Sequence, residues 1–559
     1  MRCESLSHGC SGRAARLLVL AATLIPVAGC ATLTHVPATH IVMVNGRGNP
    51  VDPTGNIGCR GKPDSCKDPN EKSRHLWILP AEYRQMDRTA PVLSPGPLSS
   101  AGPSGAYSNS YDVYLKALLE DLTRNAPTRN NRKQLLIYIH GGLNTQVGTV
   151  ERAVELMDAI PKTEYYPIFI NWQSSLFSSY ADHLVHIRQG ESWDGLGLLT
   201  TPVFAPVYFT ADVARAIARA PIVWYFLAQN WVKSIATTEV QVEVNTVTDE
   251  LEREYRQDPT GNTLKIAYDK QDYRRPWQAM LAHATATLTI PTKLIGSMFV
   301  DAFGKSSWDV MLRRTHMLYH TEREFFESGK VAIDERKPDF PTSHIKPDGA
   351  VSVFVRRLSE LIRRTGGAKE WEITLVGHSM GTIVLNQLIR DFGVAATAEP
   401  GGQTGESVLP FDHIIYMAGA TTVRDYQDTV FPYLRSNPRA RMFHLTLHPK
   451  SEIRERFDPG IPYLDLPPRG SLLVWVDEFL SNPETVLDRT VGRFENLITA
   501  IHNTPDELRG RVHIKAAVAG RDAGGPQKHS DFTEYLKFWR AECWWSPGVE
   551  YPPGCYDRR

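Results

Sequence analysis

Between Ile373 and Ile389 the chain reads ITLVGHSMGTIVLNQLI. A short, two-sided apolar run meets Gly377-His378-Ser379-Met380-Gly381, and a helix-spaced pattern begins at once. No room is left for a loop. A strand must turn directly into a helix, and the glycines at either end of the joint let the two backbones approach closely. A serine at such a turn is held out at the strand's carboxyl end. The following helix aims N–H groups and the positive end of its dipole at the same spot.

Around this joint the chain alternates short apolar strands with helical patterns. The expected strands are Leu135–Ile139, Tyr166–Ile170, Ile373–Val376, His413–Met417, Met442–Leu447 and Val512–Val518. Helices are expected at Tyr111–Arg124, Val150–Ile160, Val351–Arg364 and Thr382–Arg390. Strands apolar on both faces and alternating with helices predict a mostly parallel α/β sheet flanked by helices. About 175 residues, 173–349, interrupt the alternation before the serine-bearing strand. This mainly helical insertion includes the very apolar IVWYFLAQNWVKSI of Ile222–Ile235, with Arg215, Arg219, Pro202, Pro206 and Pro221 placed to break any membrane-spanning stretch. It reads as a layer packed on the sheet, or as a lid meeting lipid.

The division of the chain that follows is 1–29 as an export signal and 30–110 as a loop-rich tether with short strands at His40–Val44 and Leu76–Leu79. The α/β core takes 111–172 and 350–545, the insertion 173–349, and a tail 546–559. Arg2, Arg13 and Arg16 precede an apolar run, Leu17–Gly29, too short to span a bilayer. Val27-Ala28-Gly29-Cys30 resembles the bacterial lipobox, which implies acylation of Cys30 and, with Ala31 following, an outer-membrane destination. Removal of three arginines and one glutamate from 62 and 62 leaves 59 basic and 61 acidic residues. A nearly neutral chain offers no field for nucleic acid. Beyond Cys3, Cys10 and Cys30, four cysteines remain. Cys59–Cys66 and Cys543–Cys555 are the simplest of three possible disulfide pairings in an oxidising compartment. No metal-ligand spacing, phosphate loop or dinucleotide fingerprint stands out, so no metal or cofactor is expected.

A serine hydroxyl needs a base and an oxyanion hole. Leu135–Ile139 ends in His140-Gly141-Gly142, and the loop AGRDAGGPQKHSDF after the last strand carries His529. His378, His444, His448 and His513 are poorer bases, since each flanks the serine or belongs to a strand. Its glycines suggest that the His529 loop is mobile. HLTLHPKSEIRERFDPG follows the Met442–Leu447 strand and offers Glu452 first and Asp458 second as the acid behind the histidine, with Asp477 more distant. Glu455, between Arg454 and Arg456, reads as part of a solvated face.

The GHSMG joint, the HGG loop and a terminal histidine in this order resemble the α/β-hydrolase superfamily, on its lipase and esterase side, over residues 135–540. The resemblance implies an α/β-hydrolase fold with Ser379 as nucleophile and His529 as base. It implies an oxyanion hole from the N–H groups of Met380 and Gly142, with Leu143 as the alternative to Gly142. His140 orients the loop. The implied substrate is a carboxylic ester, lipid-like given the anchor and the apolar insertion. A serine peptidase or amidase, or a non-catalytic binding lipoprotein on the same fold, are the alternatives, and the oligomeric state stays open.

Overall fold

The computed structural model describes residues 39–56, 83–86, 111–188, 191–192, 196–320, 348–393, 409–456, 467–520 and 524–557. Cys30, Cys59, Cys66, Asp458 and the expected strand Leu76–Leu79 lie outside the described residues.

Eight strands run parallel: β1 (Ile41–Val44), β2 (Arg132–Ile139), β3 (Tyr166–Trp172), β4 (Lys265–Ala267), β5 (Trp371–His378), β6 (Phe411–Met417), β7 (Arg441–Thr446) and β8 (Val512–Ala516). Their order across the sheet is β1-β3-β2-β5-β6-β7-β8-β4. A ninth strand, Thr128–Arg129, pairs antiparallel with β2. The expected alternation is borne out, because the central strands are apolar on both faces and every residue of β3 and β5 is buried.

The longer helices around the sheet and in the insertion include α1 (Tyr111–Asn125), α2 (Gln146–Ala159), α3 (Leu176–Val185), α4 (Leu196–Ile235), α5 (Glu239–Gln257), α6 (Pro276–Leu288), α7 (Ile290–Met317), α8 (Ala350–Arg364), α9 (Gly381–Phe392) and α10 (Val423–Ser436), with the short α11 (Pro449–Arg454) after β7. Their starts follow local chemistry. Thr145 caps α2 by accepting the Gly148 N–H at 3.1 Å, and Thr422 caps α10 through the Asp425 N–H at 3.0 Å. The amphipathic α8 buries Val351, Phe354, Val355, Leu358 and Ile362, one face at helical spacing.

The chain places β3 on one side of β2, then returns to place β5 on the other. The carboxyl ends of β2 and β5 therefore flank the point where the strand order reverses, the usual position of a ligand crevice in such sheets. Both glycine motifs lie there.

Three features differ from the sequence expectations. The insertion is not only helical: its β4 crosses to the far edge and pairs with β8. The apolar Ile222–Ile235 is not a segment of its own but the end of one continuous 40-residue α4, with Pro202, Pro206 and Pro221 inside it. The segment 546–557 is stitched to the body rather than trailing from it. Cys543 and Cys555 are bonded, and the Lys515 ammonium donates to Ser546 Oγ and the Gly548 and Glu550 carbonyls.

Candidate active site

Close approach begins at the glycines. A Cβ on Gly377 would lie 3.1 Å from the Thr382 Cα, and one on Gly381 would lie 2.3 Å from the Ile139 carbonyl oxygen. Only hydrogen at Gly381 lets α9 rest against the end of β2, and hydrogen at Gly377 spares a tight contact where α9 leaves β5. Ser379 pays in backbone geometry, with φ at 52°. A non-glycine residue in that left-handed region costs on the order of 1–3 kcal/mol and persists only when its surroundings over-determine it. They do. The Ser379 N–H donates to the Met417 carbonyl at 2.9 Å, and its own carbonyl accepts the Thr382 N–H, the Thr382 hydroxyl and the Ala420 N–H at 2.8–3.0 Å. The Ser379 hydroxyl is buried and unpaired among the described residues.

Facing it is the turn after β2. A Cβ on Gly141 would meet the Ser379 Cβ at 2.8 Å and His378 Nδ1 at 2.9 Å, and one on Gly142 would meet Met380 Sδ at 3.1 Å. The turn's orientation is set by His140. The Trp172 N–H donates to its Nε2 at 3.0 Å, so the proton sits on Nδ1 and is donated to the Gly141 carbonyl at 2.7 Å. Burial lowers His140 to a pKa of about 4, which keeps the ring neutral. Asn144 also donates to the Gly141 carbonyl, at 3.0 Å. In a planar trans peptide the Gly142 N–H then points the opposite way. The Leu143 N–H is spent on the Ser174 carbonyl at 2.8 Å, which excludes Leu143 as the alternative donor. The Gly142 and Met380 N–H groups have no acceptor among the described residues.

His529 reaches the same region from the loop after β8. Its ring lies 4.9 Å from that of His378, centroid to centroid, and the His378 Nε2–H donates to the His529 carbonyl at 3.2 Å. Burial, and to a smaller extent His378, push His529 well below the ordinary imidazole value. Neither ring nitrogen of His529 is hydrogen-bonded among the described residues. The loop itself is pinned. Gln527 donates to the Val518, Gly525 and Pro526 carbonyls and accepts the Gly520 N–H, while Asp531 accepts the Gln527 and Lys528 N–H groups. The expectation of a mobile glycine loop is corrected for this part.

The carboxylates fall elsewhere than expected. Glu452 is buried and accepts a hydrogen bond from the Ser471 hydroxyl, not from His529. Asp477 is committed to the Thr490 N–H, Arg493 and Asn496, at 2.8–3.1 Å. The carboxylate that does reach His529 is Glu455, whose Oε2 accepts the His529 backbone N–H at 2.9 Å. Its supposed solvated flank is wrong because Arg454 turns away, to Asp272 and the Ser234 carbonyl at 2.6 Å each. Burial raises Glu455 to a pKa of about 8 and Glu452 to about 7.

Part of this region opens onto a cavity of about 460 Å³. Gly141, Gly142, His378, His529 and Glu455 line it, together with the apolar Leu472 and Trp475. The Gly142 donor, a neutral imidazole and a protonatable carboxyl border this small chamber, while the unpaired Ser379 hydroxyl and the Met380 N–H are buried beside the Gly141-Gly142 turn and are not part of its lining. No protein-family profile, no curated protein and no solved structure matches this chain.

Proposed function

We propose that the chain is a serine hydrolase of the α/β-hydrolase type, cleaving carboxylic esters through an acyl-enzyme on Ser379. The observation that carries this is the left-handed Ser379 at the β5–α9 joint, held against the Gly141-Gly142 turn. Strain of this kind clusters where it serves function, and the Ser379 hydroxyl makes no hydrogen bond among the described residues that would explain a serine there.

In the reaction Ser379 Oγ attacks the ester carbonyl while His529 takes its proton. The oxyanion is received by the Gly142 and Met380 N–H groups. His529 then returns the proton to the leaving alcohol, and water, activated by the same ring, releases the acid. The ring comes into line with the serine as substrate fills the chamber, since such bonds commonly tighten only in the complex. Glu455, which lies on the His529 backbone N–H, takes the acid's place instead of Glu452: its ionised form, favoured once the imidazolium charge appears beside it, holds that charge. The sequence reading of Cys30 extends this to an envelope enzyme acting on lipid-like esters.

The test is hydrolysis of p-nitrophenyl esters of increasing chain length beside a peptide panel. Esters are turned over and peptides are not. Glu455→Gln lowers kcat/KM by about a hundredfold or more. Glu452→Gln lowers stability and leaves kcat/KM within a few fold. Peptide cleavage without ester cleavage turns the reading to a peptidase. Equal losses in the two variants return the acid to Glu452.

A further inference from the structure

The helical insertion is built inside out. Along α4, from Leu199 to Ile235, no charged side chain is exposed. All four are turned inward and paired. Asp212 meets His183 and Arg215 at 3.1 and 3.3 Å, Arg219 meets Asp301 at 3.0 Å, and Lys233 meets Glu495 at 3.1 Å. The helix's outer positions are apolar: Leu199 is 77% exposed, Val203 66% and Tyr225 60%. The adjoining stretch of α6 and α7 repeats the pattern. From Pro276 to Val300 the one charged residue, Lys293, is buried, donating to Thr289 Oγ1 at 2.6 Å and to the Ala286 carbonyl at 3.3 Å. Leu288 is 80% exposed there and Met280 70%. The indole N–H of Trp224 on α4 donates to the Leu294 carbonyl of α7 at 3.1 Å, so the two stretches form one face.

A soluble amphipathic helix does the reverse, burying its apolar stripe and exposing its charges. Apolar patches larger than a few hundred Å² mark an interaction site. A protein partner needs about one hydrogen bond per 100–200 Å². This face offers few groups to make them, chiefly Thr210, Gln229, Thr287 and Thr292. No described helix is long and apolar enough to cross a membrane. What remains is a helix lying in the plane of a bilayer surface, apolar side down, with tryptophans at headgroup depth. The chain's own tether agrees. From Cys30 to the first described residue, Thr39, an extended backbone reaches only about 30 Å. An acyl chain on Cys30 thus keeps Thr39, where the described body begins, within about that distance of the lipid.

We propose that the outer face of α4, α6 and the first half of α7 embeds in the interfacial region of a lipid bilayer, as a second membrane contact independent of the N-terminal anchor. The tether argument rests on the Cys30 reading; the face itself does not.

The experiment uses the full chain with phosphatidylcholine vesicles brominated on the acyl chains near the headgroup, following tryptophan fluorescence. Trp224, Trp231 and Trp277 are quenched in the wild type, and the quenched fraction disappears in the Trp224→Phe/Trp231→Phe/Trp277→Phe chain. Val203→Glu/Leu288→Glu, both at exposed positions that leave the fold intact, lowers the quenched fraction by at least about tenfold. Cys30→Ser retains quenching, which separates failure of the anchor from failure of the face. Absence of quenching from these three tryptophans overturns the proposal. So does sedimentation of the unquenched wild type as a dimer that Val203→Glu/Leu288→Glu dissociates, which assigns the face to a second copy.

Discussion

At Ser379 the geometry asks most of single atoms. Gly141 is the sharpest lever on it, because its missing Cβ is the space in which the serine side chain stands. Gly141→Ala places a methyl 2.8 Å from the Ser379 Cβ and 3.1 Å from the His378 carbonyl oxygen, a contact that backbone must absorb. The expected result is a fall in kcat for ester hydrolysis of about a hundredfold with the circular dichroism spectrum unchanged. A near-normal kcat would separate the turn from the chemistry. The serine, its glycines and His529 were legible in the sequence because strand, turn and helix adjoin in the chain. Glu455 was not. Its neighbour Arg454 pairs with Asp272 and the Ser234 carbonyl, partners about 180 and 220 residues away, so nothing local showed that the glutamate faces inward.

Among elements, the parallel strands were readable because burial on both faces leaves unbroken apolar runs such as Leu135-Leu136-Ile137-Tyr138-Ile139. The edge strand β4 was not, since three residues carry no periodicity. The continuity of α4 through three prolines was hidden for a different reason. Local rules price a proline's lost hydrogen bond, whereas the packing of α4 against α7 and α3 holds the helix together regardless. The C-terminal segment was misjudged as a tail because what ties it down is remote: Lys515, Tyr551 in the core, and Cys543–Cys555. By loop-closure entropy, a link spanning 12 residues contributes about 3 kcal/mol. Cys543→Ser/Cys555→Ser lowers the unfolding free energy in urea by about that amount, and an unchanged midpoint would show that the ammonium contacts alone hold the segment.

For the whole molecule, pH reveals how much charge chemistry is buried. Burial lowers His140, His378 and His448 to about 4 and His316, His444 and His513 to about 3, and pushes His529 down as well. The unfolded chain takes up these protons near pH 6.5 and the folded protein does not, so stability falls as pH drops from 6.5 toward 4. Glu452, Glu455 and Glu478, raised to about 7, 8 and 7, act in the opposite sense. They keep protons that the unfolded chain loses near 4.5, so their share of stability declines between 4.5 and 8. Seven histidines outweigh three glutamates below 6.5; above it the glutamates act until Lys515, lowered by burial to about 8, begins to lose its proton and offsets them. The denaturation midpoint therefore peaks near pH 6.5, falls steeply in acid and gently toward pH 8. A midpoint that is flat from pH 4.5 to 6.5 would mean that these rings are hydrated. Whether this fold presents Ser379 as a nucleophile is decided by reacting the folded protein with a fluorophosphonate and mapping the adduct by mass spectrometry. One adduct on Ser379, absent from Ser379→Ala, is the predicted result. An unlabelled wild type, or undiminished labelling of Ser379→Ala, would contradict it.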